Sequence, residues 1–501
     1  MFIFKRCFLK KSISDLYQFS YNRKVHYRTS IDELFNLVND FADQEALEGL
    51  FNHFYVSYEL PVDVTKQKLK KHIASSYIYK KSRFNSKLSL SSVLRSMLNY
   101  GALFYALFFT KKDEHLNQYK LIIDDISSPI ELLRFENLLN LFGKENVLCI
   151  SRMENLEEEF PDFNIYKKKF FRDFNKKDLI KSLIREVFSG FWIVLYASIK
   201  TRINLFPVSL EIIHSYLSFK SLFETNKAEY IIQERHYGTN SVKNYLFKKS
   251  GGTSSATIQK NIIEADLMFA YVDIDILFSF GNSGLQRLFD FGGRINKIQP
   301  VGSLFMEYYW FKKPLVNKIQ YDIVFMGINL TSGSNRIDKY DGFIDDYYIS
   351  FEWLVKIKNK NPQLKIGIKH HASAGIEDSR ESEILKNSGI MTVDKNLNSY
   401  HLAFSSRCVV TYGSSMGYEL NAHNVFALFV DPGYRCAFLP EKENDNLGEL
   451  RITSYEQFDE SISAILSNKN IDKFSNVSRT DLCLESSVTS NNIFGHLQNT
   501  I

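Results

Sequence analysis

The 501-residue chain has few of the residues that interrupt regular structure, with only 23 glycines and 9 prolines. Both counts are below the roughly 7% and 5% that are typical of proteins, which excludes a collagen-like or low-complexity chain and predicts long helices and strands. The cysteines also show no CxxC or other metal-ligand spacing; they are Cys7, Cys149, Cys408, Cys436 and Cys483. The spacing excludes a disulfide scaffold and a zinc site, so the expected compartment is the reducing cytoplasm.

The chain also lacks an excess of charge of one sign and long hydrophobic runs. Its 62 basic and 57 acidic residues leave a formal net charge of +5, which is too small for a dedicated nucleic-acid-binding protein, so we expect no nucleic-acid partner. The longest apolar runs, 101–109 and 188–199, are shorter than the ~20 residues that span a bilayer. The N-terminal residues do not have the pattern of a secretory signal.

Aromatic residues are abundant, with 42 Phe and 28 Tyr, and 45% of all residues are hydrophobic. This composition is that of a globular protein with large cores. At about 150 residues per domain, the length predicts two or three domains.

Strand and helix patterns alternate along most of the chain. The strand YKLIIDD (119–125), the helix-like segment 129–143 and the strand at 146–151 form a β-α-β unit, which is typical of parallel sheets. Another strand is predicted at 228–233, whereas SGGTSSAT (250–257) has the composition of a loop. We therefore predict an α/β protein with two Rossmann-like domains, 1–316 with a helical N-terminal extension and a basic, aromatic insertion, and 317–501 with a C-terminal tail.

The segment VVTYGSSMGYE (409–419) runs from a β-branched strand into a helix start. Free N–H groups at a helix start bind phosphate, and the small residues Gly413, Ser414 and Ser415 would allow a diphosphate to approach closely. A carboxylate one turn later, Glu419, would accept hydrogen bonds from ribose hydroxyls. The alternative is an ordinary helix start, with a serine cap and an early-turn Glu.

A second polar segment, KIGIKHHA (365–372), places Lys369 and His370 at the end of a strand, where open α/β sheets bind ligands. Both side chains could neutralise a phosphate. Adjacent residues on a strand point to opposite faces, so His370 and His371 make a poor metal pair. Gly327 begins a loop of small residues after the first strand of the second domain and is a third candidate phosphate contact. The alternative is an exposed, polar strand end.

These elements resemble the GT-B-type glycosyltransferases of bacterial surface-polysaccharide biosynthesis, the superfamily of capsule Kdo transferases, polyol-phosphate transferases and bacterial sialyltransferases. The resemblance covers about 228–436. It is carried by Val301-Gly302-Ser303 with Glu307-Tyr308-Tyr309 behind it, by the strand end at Lys369, and by the helix start between Gly413 and Glu419.

The resemblance implies that the C-terminal domain binds a nucleotide-sugar donor and that the N-terminal domain binds the acceptor, a surface polysaccharide or a lipid-linked glycan. His370 is then expected at the donor phosphates, Ser414 and Ser415 at the diphosphate or sugar, and Glu419 at the ribose. No cofactor is expected apart from the nucleotide sugar, which is a substrate.

An inverting sugar transfer needs a general base for the acceptor hydroxyl, whereas cations and helix starts can stabilise the leaving phosphate without a metal. Glu234 and His236, after the strand at 228–233, are the first candidates for the base. Asp124 and Asp125 are the second candidates. For each, the alternative is polar capping of a strand. Because Asp273-Ile274-Asp275 lies within a predicted strand of the first domain, we expect no metal site.

Three functions remain open at this point. The leading one is a metal-independent, inverting glycosyltransferase of capsule or O-antigen assembly. A nucleotide-sugar 2-epimerase would use the same two-domain frame, and a non-catalytic scaffold for polysaccharide assembly is the third.

A basic run at 167–185 leads directly into the apolar segment FSGFWIVLYASI (188–199). This combination suits a helix at an anionic bilayer surface, so the stretch from Lys167 to Ile199 is a candidate peripheral membrane contact. The alternative is a solvated basic face followed by a core helix. The expected location is the cytoplasm, with the inner face of the cytoplasmic membrane as the peripheral site.

Overall fold

The structure is a computed structural model, and it describes residues 27–78, 98, 100–101, 103–107, 116–168, 174–235, 238–262, 271–312, 319–328, 343–371, 379–394, 396–434, 436, 439, 446–469, 474 and 479–499. Their contacts divide them into two compact units. The helical unit contains the described parts of Met1–Lys112 and Phe171–Ser218. The α/β unit contains those of Asp113–Phe170, Phe219–Ser334 and Gly342–Ile501.

The described strands form two sheets within the α/β unit, one of seven strands and one of six. The first sheet contains β1 (Asn117–Ile126), β2 (Val147–Ser151), β3 (Asn164–Lys167), β4 (Asn226–Gln233), β5 (Ser254–Ile258), β6 (Asp273–Ser279) and β7 (Arg294–Pro300). The second contains β8 (Tyr321–Met326), β9 (Ile366–Lys369), β10 (Met391–Thr392), β11 (Ser406–Thr411), β12 (Ala427–Val430) and β13 (Arg451–Ile452).

Both sheets are parallel, and the six strands of the second are in the same order as the first six strands of the first. The first is ordered β3-β2-β1-β4-β5-β6-β7 and the second β10-β9-β8-β11-β12-β13. In each sheet the order reverses beside its first strand, between β1 and β4 and between β8 and β11. Ligands of open parallel sheets bind at this switch point, beyond the carboxyl ends of the strands. The predicted fold class, two Rossmann-like α/β domains, is confirmed.

The described helices, in chain order, are α1 (Tyr27–Ala42), α2 (Glu48–Tyr58), α3 (Val62–Ile78), α4 (Pro129–Arg134), α5 (Glu136–Phe142), α6 (Leu156–Glu159), α7 (Lys176–Arg185), α8 (Phe191–Thr201), α9 (Phe206–Thr225), α10 (Ser241–Lys249), α11 (Gln286–Asp290), α12 (Leu304–Phe311), α13 (Phe343–Lys360), α14 (Ser379–Leu385), α15 (Ser399–Phe404), α16 (Met416–Ala422), α17 (Tyr455–Ser467), α18 (Arg479–Leu482) and α19 (Thr489–Gln498). A π-helical segment, Glu186–Gly190, joins α7 to α8.

The first sheet is packed by a helix from the far end of the chain. Ile493 and Leu497 of α19 lie in the same buried cluster as Leu121 of β1 and Tyr230 of β4. The rings of Phe142 and Phe494 meet edge to face, with their centroids 4.9 Å apart. Helix α19, in the tail that the sequence analysis places with 317–501, therefore packs in the core of the first sheet.

Helix α12 is shared by the two domains. Its first residue, Leu304, packs in the core of the first sheet, whereas Met306 packs with Val324 and Leu420 in the core of the second. The predicted boundary at residue 316 therefore comes just after a helix that contributes side chains to the cores of both domains.

One further expectation is corrected. The predicted loop at 250–257 contains most of β5, whose hydroxyl groups are satisfied inside the sheet: Ser255 Oγ donates to Asp275 Oδ2 over 2.8 Å, and Thr257 Oγ1 donates to the Gln233 carbonyl over 3.1 Å. The described residues of the basic run at 167–185 belong to more than one element. Its first residue, Lys167, lies in β3, and its helix begins at Lys176.

The packing of α19 predicts the effect of shortening one side chain. Ile493 is fully buried, so Ile493→Ala should lower the free energy of unfolding by about 2–5 kcal/mol through lost burial and a residual cavity. Denaturant unfolding measures this change. Asn491→Ala, at an exposed position of the same helix, is the matched control and should change stability by less than about 0.5 kcal/mol. Equal effects of the two substitutions would contradict the assignment of the tail.

Candidate active site

Four of the predicted donor-side residues come together at the switch point of the second sheet. Gly327 follows β8, Lys369 ends β9, and β11 leads into Ser414. Met326 is paired with Lys369 across one strand boundary and with Thr411 across the other. The carboxyl ends of these three central strands therefore present Gly327, Lys369, His370 and Ser414 at one edge.

Gly327 lies in a tightly packed position. Its N–H donates to the Lys369 carbonyl over 2.8 Å. A Cβ atom here would lie 2.9 Å from the Tyr347 hydroxyl and 3.2 Å from the Lys369 carbonyl oxygen. Glycine at this position therefore lets the loop after β8 approach the end of β9.

The three side chains at the end of β9, those of Lys369, His370 and His371, differ in their environment. Lys369 is only 3% exposed, and burial lowers the pKa of its ammonium group against the opposing charge of Asp394. The Nε2 atom of His370 lies 2.9 Å from Glu381 Oε1 of α14. His371 is exposed, and partial desolvation together with the charge of Lys369 lowers its pKa. The strand end thus positions Lys369 and His370 and leaves His371 at the surface.

At the helix start after β11, the hydroxyl of one serine bonds to the helix and that of the next does not. Gly413 has a φ of +67°, which a residue with a side chain rarely adopts. The Ser414 hydroxyl accepts a hydrogen bond of 3.4 Å from the N–H of Met416. The Ser415 side chain does not cap α16, and within the described part of the chain its hydroxyl has no hydrogen bond. This hydroxyl is available for a ligand.

Glu419 is part of a buried contact between the two domains. It is 2% exposed, one oxygen accepts from the Ser303 hydroxyl, and the other accepts from the Tyr400 hydroxyl over 2.8 Å. Burial raises the pKa of Glu419 to about 7 in spite of these two hydrogen bonds. Ribose binding by Glu419 stays a prediction. A ribose hydroxyl would have to replace the Ser303 or the Tyr400 hydroxyl as a hydrogen-bond donor to the carboxylate.

Further contacts surround this carboxylate. Tyr309 of α12 stacks on Tyr400 with ring centroids 4.6 Å apart and an interplanar angle of 18°. Trp310 lies 4.3 Å from the ring of His423, and the Nε2 atom of His423 accepts from the N–H of Ser486 over 3.1 Å. The Val-Gly-Ser element and α12 thus act as a junction between the domains.

At the switch point of the first sheet, Asp124 is fully engaged. The buried ammonium of Lys243 donates to Asp124 Oδ2 over 2.6 Å and to Gln233 Oε1 over 2.7 Å. Burial alone would raise the pKa of Asp124, but the charges of Lys243 and Lys168 and the hydrogen bond from Lys243 together outweigh it, so the pKa is lowered. Asp124 is therefore an ionised, structural carboxylate.

Glu234, the first candidate for the base, belongs to a network of ion pairs. Its oxygens contact Arg235 Nε at 2.6 Å and Lys260 Nζ at 2.8 Å. Glu131 of α4 contacts the same two cations, at 2.7 and 3.0 Å. Burial raises the pKa of Glu234 against the charge of Lys260. A role as base stays a prediction for Glu234, whose two oxygens are occupied, and His236 lies outside the described residues.

Asp125 differs from these carboxylates in both backbone and side chain. Its φ is +74°, and the register of β1 against β2 shifts between Ile123 and Ile126. It is half-buried, and among the described residues its carboxylate takes part in no hydrogen bond or ion pair. Burial, and then the charge of Asp124, raise its pKa. Unusual backbone conformation and a perturbed pKa are typical of functional residues.

Asp125 was only a second candidate in the sequence, and the signal for it was the pair of carboxylates at the end of a strand. Its conformation could not be derived from that pair.

Asp275 of the Asp-Ile-Asp segment accepts from the N–H of Ser255 over 2.9 Å inside the first sheet. Across the described ranges, no three His, Cys, Asp or Glu side chains cluster as metal ligands would.

No protein-family model and no curated protein matches the sequence. Solved structures with a similar arrangement include a UDP-GlcNAc 2-epimerase from Neisseria meningitidis bound to UDP-GlcNAc (9% identity, TM-score 0.44, 76% of this chain and 100% of that one). They also include MurG of Acinetobacter baumannii (9%, 0.42, 76% and 99%) and the wall teichoic acid polymerase TagF (11%, 0.41, 82% and 98%). These values assign neither a family nor an activity to the chain.

The buried carboxyl at the junction predicts a pH dependence of stability. The pKa of Glu419 is raised above 4.5 to about 7 in the folded protein, so its contribution to stability is complete below pH 4.5 and lost as the pH rises through 7. Glu419→Gln removes this titration. The difference in unfolding free energy, wild type minus variant, should fall between pH 5 and 8 by up to about 1.4 kcal/mol per pH unit.

Chemical denaturation at several pH values measures this difference. Glu449→Gln, at an exposed position, serves as the control and should keep the wild-type pH profile. A constant difference between wild type and Glu419→Gln across this range would contradict the titration of Glu419.

Proposed function

We propose that the protein is an inverting glycosyltransferase that moves a sugar from a nucleotide-activated donor to a hydroxyl group of a glycan or lipid-linked acceptor. The proposal is supported by the different groups at the two switch points. At the first, Asp125 has an unusual backbone conformation and no hydrogen bond or ion pair to a described residue. At the second are Gly327, Lys369, His370 and Ser414. A carboxylate such as Asp125 suits activation of an acceptor hydroxyl, whereas the polar and cationic groups at the second switch point suit binding of a donor phosphate.

On the donor side, the leaving nucleotide carries negative charge as the bond to the sugar breaks. Lys369 and His370 supply cationic and hydrogen-bonding groups at the end of β9, and the Ser415 hydroxyl supplies a further donor at the start of α16. Such fixed groups stabilise charge that develops in the transition state. Metal independence is part of the proposal, because these residues give the chain its own means of balancing the phosphate charge.

On the acceptor side, we assign the general base to Asp125. Its carboxylate takes the proton of the acceptor hydroxyl while that oxygen forms a bond to the anomeric carbon and the sugar–phosphate bond breaks on the opposite face. A raised pKa makes a carboxylate a stronger base, which favours this role. Arg235 and Lys260, which neutralise Glu234, leave Asp125 as the unengaged carboxylate among the described residues at this strand end.

The finer assignment, to capsule or O-antigen assembly at the inner face of the cytoplasmic membrane, is also a proposal. It is supported by the sequence resemblance over 228–436 alone. Nucleotides can be tested first: a thermal-shift screen with UDP, CMP, GDP, CDP and dTDP should identify the base of the donor, because a ligand that binds the native state raises its melting temperature.

The central experiment follows the products. With the identified nucleotide sugar and a glycan acceptor, transfer should occur in the presence of EDTA, and no sugar should change configuration in the absence of acceptor. Epimerised nucleotide sugar formed without acceptor would replace the proposal with a 2-epimerase. Nucleotide binding without either product, over a panel of surface-polysaccharide acceptors, would favour a scaffold.

For the base, Asp125→Asn should lower kcat by about 10²–10⁴-fold, the usual contribution of general-base catalysis, with little change in the affinity for the nucleotide. Asp273→Asn, a matched substitution at the amino end of β6, should stay within twofold of wild type. Initial rates of sugar transfer measure both variants. Retained activity in Asp125→Asn would remove Asp125 from the mechanism and return Glu234 and His236 to consideration.

For the donor site, His370→Ala should raise the Kd for the nucleoside diphosphate at least tenfold, because a phosphate contact at the strand end is lost. His371→Ala changes the exposed neighbouring histidine and should leave the Kd within twofold. Isothermal titration calorimetry measures both values. Equal affinities of the two variants would contradict the donor assignment.

A further inference from the structure

The helical unit exposes a long row of apolar side chains. One described helix, Lys176–Thr201, is long and apolar enough to cross a membrane by length and composition. It comprises α7, the π-helical segment and α8. Its exposed apolar residues recur mostly at four-residue steps, and their exposed fractions are 41% for Ile180, 53% for Ile184, 52% for Val187, 78% for Phe188, 62% for Trp192, 59% for Tyr196 and 57% for Ile199. We call these seven residues the apolar row.

The opposite face of the same helix is packed inside the helical unit. Leu179 and Val194 are fully buried. Glu186 is also buried, and its Oε1 atom lies 2.9 Å from His53 Nε2 and accepts from the Tyr58 hydroxyl over 2.7 Å. A helix that spans a bilayer could not keep this packed, hydrogen-bonded face together with its partners in water. The helix is therefore suited to lie along a surface with only the apolar row embedded.

The π-helical segment helps to keep the row on one side. In an α-helix, a row of residues at four-residue steps turns by about 40° per step around the axis. The wider turn of a π-helical segment, placed in the middle of the row, offsets part of this rotation. Gly190 fits this geometry, because a Cβ atom there would overlap the buried Glu186 carboxylate.

The polar flanks of the helix are basic. Lys176, Lys177 and Lys181 are exposed in α7, and none of them forms an ion pair within the described residues. At the other end, the ammonium of Lys200 lies 5.5 Å from the ring centre of Tyr196. An apolar row bordered by unpaired cations matches a bilayer, which offers an apolar interior beneath anionic headgroups.

We propose that the apolar row and its flanking lysines bind the surface of a membrane that contains anionic phospholipids. The surface differs from the sequence-based candidate, which began at Lys167: that lysine lies in β3, with its ammonium 3.7 Å from Glu154, and the binding helix starts at Lys176. The inference does not depend on the proposed sugar transfer, because it concerns binding by the helical unit. The experiment distinguishes membrane binding from binding of another protein or of a second copy of this chain.

The experiment is flotation of the full-length protein with vesicles. Wild type should float with vesicles of phosphatidylcholine containing 30% phosphatidylglycerol, at least tenfold more than with pure phosphatidylcholine, and 0.5 M NaCl should reduce the bound fraction. Phe188→Ser/Trp192→Ser and Lys176→Glu/Lys177→Glu/Lys181→Glu should each weaken binding to the anionic vesicles at least tenfold. All five positions are exposed, so circular dichroism and melting temperature should stay at wild-type values.

Two controls sharpen the test. Phe289→Ser removes an aromatic side chain that is 42% exposed in the α/β unit and should bind vesicles like wild type. A brominated phospholipid should quench the fluorescence of wild type and should not quench that of Trp192→Phe beyond the level of the two other tryptophans. The proposal is overturned if wild type does not float with anionic vesicles, if the row variant floats equally well, or if that variant instead abolishes a dimer seen by light scattering.

Discussion

A buried carboxylate, Glu419, lies at the contact between the two domains that carry the parallel sheets. Burial penalises its charge, and its two oxygens are satisfied by hydroxyl groups from different parts of the chain: Ser303, which follows the last strand of the first sheet, and Tyr400 of α15 in the second domain. The contact tolerates little displacement, since any separation of the domains would leave a buried carboxyl without a partner. The junction therefore helps to fix the position of one switch point relative to the other.

A similar principle acts at the edge of the first sheet. Asp124 is neutralised by Lys243, and Glu131 and Glu234 share Arg235 and Lys260, so the buried charges there are compensated in pairs. Asp125 lies among them without a direct ion pair to a described residue, in a conformation that costs backbone energy. Side chains that are fixed by ion pairs can hold a neighbouring reactive group in position, because they do not move when that group reacts.

The alternation of buried strands and helices could be predicted from the sequence, because the central strands are continuous apolar runs that end in polar residues. Gly327, Lys369, His370 and Ser414 could be placed for the same reason, since parallel strands end at one edge. Other features depend on contacts between distant residues and leave no local signal. Strand β5 has the small, polar composition of a loop and is stabilised by Asp275, twenty positions away from Ser255. The partners of Glu419, the packing of α19 and the φ of Asp125 are equally inaccessible to local patterns.

The return of α19 to the first sheet has a consequence for biosynthesis. The residues that close this core, Ile493 and Leu497, are synthesised more than 250 residues after the strands that they cover, as Tyr230 illustrates. During translation, the first sheet therefore keeps an uncovered apolar surface until α19 has been made, and this surface is open to aggregation during that interval.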